Sequence, residues 1–238
     1  MLTKPSMADP KKPKSGGGCL SLLITLIFLV AAVGLGSALF FIVQPQDLTN
    51  LGGYGPAAKT APVRDMKVVL KNAIERGFPV TLSEADINNW LGRTLTTKQG
   101  GVLASQISLE RVWVRLEDGV AEIIMERKIM GQPFTVSMFL KIEKFENAKG
   151  VTTVVNMDGG PFHKDFPVPP RGGRLGKLVV PQGFLILVKP AYEKLAKLFL
   201  EERALGLEEM SRVKIEKGRL ILDPRAPDAA GSLIPQSF

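Results

Sequence analysis

Proton transfer in enzymes most often uses histidine, and this chain of 238 residues has one, His163. It sits in His163-Lys164-Asp165, inside a Gly/Pro-rich stretch, where a solvated loop histidine is the expected role. A nucleophilic Ser or Cys needs a base beside it, and no G-x-S-x-G turn occurs to present one. The paired carboxylates Glu117/Asp118 and Glu201/Glu202 fall in a turn and at a helix end, positions suited to solubility rather than acid–base work. Cys19 is the single cysteine, which excludes an intramolecular disulfide and a thiolate metal cluster. Gly172-Gly173-Arg174-Leu175-Gly176-Lys177 looks like a phosphate-binding loop but is one residue short, and Leu178 stands where Ser or Thr must hold magnesium. These residues predict no catalytic centre, no metal and no cofactor.

One stretch has the composition of a binding element. Asp158–Lys177 is long for a connection inside a compact domain, and it places Phe162 and Phe166 among Lys164, Arg171, Arg174 and Lys177. Aromatic rings beside cations suit an anionic headgroup or an acidic partner surface. A plain solvated connection across the end of a sheet is the competing reading.

The position of such a loop depends on what holds the chain. Leu20–Val43 has no charged residue and no proline, and exceeds the roughly 20 apolar residues that span a bilayer. Lys4, Lys11, Lys12 and Lys14 precede it, whereas Gln44-Pro45-Gln46-Asp47 follows, so the positive-inside rule leaves the N-terminus in the cytoplasm and exports the rest. A cleaved signal peptide would end at small residues such as Gly34–Ala38. Cleavage there would strand the apolar Leu39–Val43, so an uncleaved anchor is expected. Cys19 precedes the apolar run, which excludes a lipoprotein signal, and it is read as an inert thiol, with acylation as the alternative. Ala32 with Gly36, and Gly34 with Ala38, are spaced for a homodimer seam, although small residues are common in spanning helices. The net charge of +8 includes the tail lysines and carries no Lys/Arg run beyond the anchor, so no nucleic-acid partner is expected.

Beyond the anchor the periodicity defines the elements. Residues 44–62 are Gly-, Pro- and polar-rich and read as a flexible tether. Val63–Arg76 puts Met66, Val69, Leu70 and Ile74 on one helical face, with Gly77 as the stop. Ser83 and Asp86 form an approximate capping box for a second helix carrying Ile87, Trp90 and Leu91, closed at Gly92–Thr94. Alternation then gives a four-strand antiparallel meander with one apolar face, turning at Glu117-Asp118-Gly119 and Gly131-Gln132-Pro133. Asp158–Arg174 is expected to be irregular. Pro181–Arg203 follows as a long helix with the stripe Phe184, Leu187, Val188, Ala191, Leu195, Leu198 and Phe199, kinked at Pro190. A last hairpin pairs Val213 and Ile215 with Leu220 and Leu222.

The expected fold is α+β: an N-terminal transmembrane helix, then an antiparallel sheet (meander plus C-terminal hairpin) packed with two to three amphipathic helices. The expected parts are a basic tail at 1–19, the spanning helix at 20–43, the tether at 44–62, an exported domain at 63–222 and a loose tail at 223–238. Thr81-Leu82-Ser83-Glu84-Ala85-Asp86-Ile87-Asn88 and Gly176-Lys177-Leu178-Val179-Val180-Pro181 together resemble the YpmS-like family of bacterial membrane-anchored proteins, over most of residues 60–222. That resemblance implies a bacterial inner-membrane protein with its domain outside the cytoplasm, and brings no catalytic residues with it. Anchor, one-sided sheet and amphipathic loop lead to a non-enzymatic envelope protein binding lipid or another envelope component. The alternative is a structural or assembly subunit that docks a protein partner.

Overall fold

The computed structural model describes residues 18–55, 64–98, 108–129, 131–147, 150–158 and 171–225. The chain forms two compact units, Met1–Phe40 and Phe41–Phe238. The first contains most of helix α1 (Gly18–Val43), the one described helix long and apolar enough to cross a membrane. Two of its hydroxyls bond back to the helix's own carbonyls. Thr25 Oγ1 donates to the Ser21 carbonyl at 2.8 Å and Ser37 Oγ to that of Val33 at 2.9 Å.

The second unit is the expected α+β domain. Helix α2 (Met66–Arg76) starts on Asp65, whose carboxylate accepts from the Lys67 and Val68 amides, and ends at Gly77 with φ 64°. Strand β1 (Val80–Ser83) leads into α3 (Glu84–Lys98), which runs past the stop expected at Gly92–Thr94. The capping box forms: the Ser83 amide and hydroxyl donate to Asp86 Oδ2, and the Asp86 amide donates to Ser83 Oγ. The meander is β2 (Ser108–Glu117), β3 (Val120–Ile129), β4 (Gln132–Asn147) and β5 (Gly150–Met157).

Two short strands, β6 (Gly173–Leu175) and β7 (Leu178–Val180), extend this sheet where the sequence predicts irregular chain as far as Arg174. The sixteen-residue β4 makes room for them. Its Val136–Met138 pairs with β6, while Leu140–Asn147 pairs with β5. Glycine is required at the junctions: a Cβ on Gly172 would lie 2.5 Å from the Gln182 backbone, and one on Gly173 would overlap the Ser137 carbonyl.

The long helix expected at Pro181–Arg203 is broken. A 3₁₀ turn at Gln182–Leu185 is followed by α4 (Lys189–Leu198), the short α5 (Leu200–Arg203) and a π-helical turn at Ala204–Glu208. Pro190 lies in the first turn of α4, where its missing amide is harmless, so it marks a start and not a kink. The last hairpin, β8 (Arg212–Glu216) and β9 (Arg219–Asp223), joins β1 in a separate three-stranded sheet. The two sheets interlock at their turns, the Gly119 amide donating to Ile215 and the Gly218 amide to Leu116. Asp223 begins no loose tail, because it closes β9 and pairs with Arg212 and Arg225.

The meander has two buried faces where the sequence predicts one. Val112, Val114, Leu116, Ala121, Met125, Val136 and Met138 line one face and form the main core with α3 and α4. The other face buries Trp113, Ile124, Phe139, Glu122, Thr135 and Ser137. Its cover is the first part of the expected tether: Gln46, Leu48 and Leu51 are buried, and Leu48 and Leu51 cluster with Trp113 and Ile124. Residues 44–55 therefore belong to the domain.

Candidate functional site

A groove of 620 Å³ opens between the first face of the meander and the α4–α5 layer. Its floor comes from alternate residues of three strands, among them Val112 and Val114, Ile123, and Met138 and Leu140. These share a face because the register sets Val114 opposite Ile123 and Ile123 opposite Met138. Trp90, Tyr192, Leu195 and Phe199 supply walls from the helices, with the Trp90 and Phe199 rings 5.2 Å apart. Lys189, Glu193, Glu202, Arg203, Asn156 and Gln182 are the polar or charged residues that reach it. An apolar trough with a few polar residues suits a ligand with a long apolar body and a polar end.

Hydrogen bonds hold the roof in place. Tyr192 Oη donates to the carbonyls of Val136 at 2.8 Å and Ile123 at 3.1 Å, and burial raises its pKa, so the phenol stays protonated. The π-helical turn directs the Leu207 carbonyl toward the strands, where it accepts from Thr153 Oγ1 at 2.6 Å and from Lys144 Nζ. Partial burial lowers the Lys144 pKa.

Of the residues expected to bind a headgroup, Arg171, Arg174 and Lys177 are among those described. Phe162, Lys164 and Phe166, with His163, lie outside the described residues. Arg171 and Arg174 come together over the Phe139 ring, at 5.6 and 5.5 Å. Arg174 is turned inward to Glu122, which is fully buried and 3.6 Å from its Nε. Lys177 is exposed at the β6–β7 turn, and its amide donates to the Phe41 carbonyl at 2.9 Å.

The Glu122 network ties residues 46–47 to the sheet. Arg115 Nη1 donates to Glu122 Oε2 at 2.7 Å, and Ser137 Oγ donates to Oε1 at 2.5 Å. Ser137 Oγ in turn accepts from Gln46 Nε2, the Gln46 amide donates to Thr135 Oγ1, and Arg115 Nη2 donates to the Asp47 carbonyl. The Asp47 carboxyl is held below its ordinary pKa mainly by Thr49, with Lys177 and Arg115 contributing.

Glu84 and Asn88 escaped the sequence reading as functional groups, and both are buried. One turn apart on α3, they clamp backbone. Glu84 accepts from the amides of Gly52 at 2.6 Å and Leu116 at 2.8 Å. Asn88 donates to the carbonyls of Gly52 and Val114 and accepts from the Val114 amide. Their i, i+4 spacing beside Ile87 and Leu91 was the available signal. Among the described residues no three His, Cys, Asp or Glu side chains gather to hold a metal. The chain matches no protein-family model and no curated protein.

Proposed function

We propose that this chain is a membrane-anchored envelope protein whose exported domain binds an acyl chain of a lipid in the groove, without catalysing a reaction. The observation that carries this reading is the 620 Å³ apolar trough. It falls within the roughly 300–1,000 Å³ of small-molecule sites. Each buried methylene would contribute about 0.8 kcal/mol to binding. Helix α1 and the flanking lysines support attachment to a bacterial inner membrane with the N-terminus inside. Membership in the YpmS-like family remains part of the proposal, resting on the two short motifs. Self-association through Ala32, Gly34, Gly36 and Ala38 is a separate proposal that rests on spacing alone.

Native mass spectrometry of the full chain, extracted in mild detergent, tests the groove. A co-purifying lipid is expected, and its occupancy should fall several-fold in Ala196→Phe, which places a ring in the trough from an exposed position on α4. A chain that carries no lipid, and takes up none from mixed micelles, sinks the reading. A docking subunit is the second reading, favoured by the exposed apolar side chains of the turn before α4. Crosslinking in membranes that returns one stoichiometric protein partner would select it.

A further inference from the structure

The turn Gln182–Val188 presents three large apolar side chains to solvent: Phe184 is 64% exposed, Ile186 69% and Leu187 88%. The backbone of the turn is well held. The Phe184 amide donates to Pro181 and the Val188 amide to Leu185, at 3.1 and 3.0 Å. Leu185, between Phe184 and Ile186, is fully buried, in space that Gly173 leaves open. A turn fixed by a buried leucine therefore displays a contiguous apolar knob, and patches of that kind mark interaction surfaces.

Charge decides which partner it fits. From Arg171 to Tyr192 the sequence has no acidic residue, and Arg171 and Lys177 are exposed; Lys189, also exposed, lies 3.9 Å from Glu193. Apolar side chains among cations match an anionic lipid interface. Gln182 and Lys189, which flank the knob, both line the groove.

We propose that Phe184, Ile186 and Leu187 insert into the interface of the bilayer that holds the anchor, and that this insertion sets the Gln182–Lys189 end of the groove against the leaflet. The second part rests on the lipid-binding reading, whereas the insertion stands independently of it. An acyl chain would then pass from leaflet to groove without crossing water.

The test uses the full chain in vesicles of phosphatidylcholine and phosphatidylglycerol. A Cys19→Ser background leaves no native thiol. An environment-sensitive fluorophore is placed at Leu187→Cys, or at Lys217→Cys in the exposed β8–β9 turn. At position 187 we expect a blue-shifted emission and several-fold stronger quenching by doxyl-labelled lipid than at 217. Equal, weak quenching by doxyl lipid at both positions would overturn the insertion. So would shielding of 187 from aqueous iodide without lipid quenching, which means a protein covers the knob. In the Phe184→Ser/Ile186→Ser/Leu187→Ser triple variant, transfer of lipid into the chain should slow several-fold; these side chains are exposed, so the fold does not depend on them. Ala196→Phe should lower loading several-fold and leave quenching at 187 unchanged. Quenching without any bound lipid in the wild-type chain would retain the insertion and reject the groove reading.

Discussion

Replacing Glu122 with Ala tests whether the strip at residues 46–51 is held by a buried charge network. The carboxylate is fully buried and serves Arg115, Ser137 and, more distantly, Arg174. Removing one member of a buried ion pair costs about 3–5 kcal/mol, because its partner keeps the desolvation penalty. Here the arginine side chains retain 19% and 24% of their exposure and can partly rehydrate, so the low end applies. At roughly 2–4 °C per kcal/mol for a chain of this size, about 3 kcal/mol lowers Tm by roughly 6–12 °C. Glu122→Gln keeps the shape and an acceptor for Ser137, and should lose less. Circular dichroism melting of the full chain in detergent reads both. A double-mutant cycle with Gln46→Ala adds the specific test, because Ser137 Oγ bridges Gln46 to Glu122. Coupling of about 0.5–3 kcal/mol is expected for members of one network. A drop in Tm below about 2 °C for Glu122→Ala, or strict additivity with Gln46→Ala, would refute the reasoning.

Gly173→Ala should prevent β6 from docking, since its Cβ would overlap the Ser137 carbonyl and lie 2.8 Å from Leu185 Cδ1; a loss of about 1–3 kcal/mol or more is expected in denaturant melts. Tyr192→Phe removes the donor shared by the Val136 and Ile123 carbonyls and should destabilise by about 1 kcal/mol, with faster hydrogen exchange in α4. The Asp223 carboxyl is held below its ordinary value mainly by its hydrogen bond with Arg225. The unfolded chain therefore binds the proton more readily, and the contribution is complete above about pH 4 and lost as pH falls through the folded value. Asp223→Asn should melt below wild type at neutral pH and converge with it in acid.

Elements with a local signal were legible in the sequence. Alternation through Val112–Leu116 and Phe134–Ile142, the turn at Gly119, the αL stop at Gly77 and the Ser83–Asp86 box all follow from short-range sterics and hydrogen bonding. Residues 44–55 were not legible, because their Gly-, Pro- and polar-rich composition is that of a tether. Leu48 and Leu51 are too few to signal a packed segment, and their partners Trp113 and Ile124 lie more than sixty residues away. The helix at 181–203 misled for a related reason. Its stripe from Phe184 to Phe199 is continuous at helical period, but the 3₁₀ turn rotates Phe184 and Leu187 outward while Leu185 takes the buried place. Of the candidate binding residues, Arg174 carried no mark in the sequence that an acid from another strand would occupy it.

The groove sets a constraint that bears on its contents. The trough is an open groove of 620 Å³, so without a ligand water enters it. Water filling it would face Val112, Val114, Ile123, Met138 and Leu140, which offer no hydrogen bonds from their side chains. A ligand that replaces this water with methylenes gains on every wall at once, whereas one with a large polar body finds partners at Asn156, Gln182, Lys189, Glu193, Glu202 and Arg203.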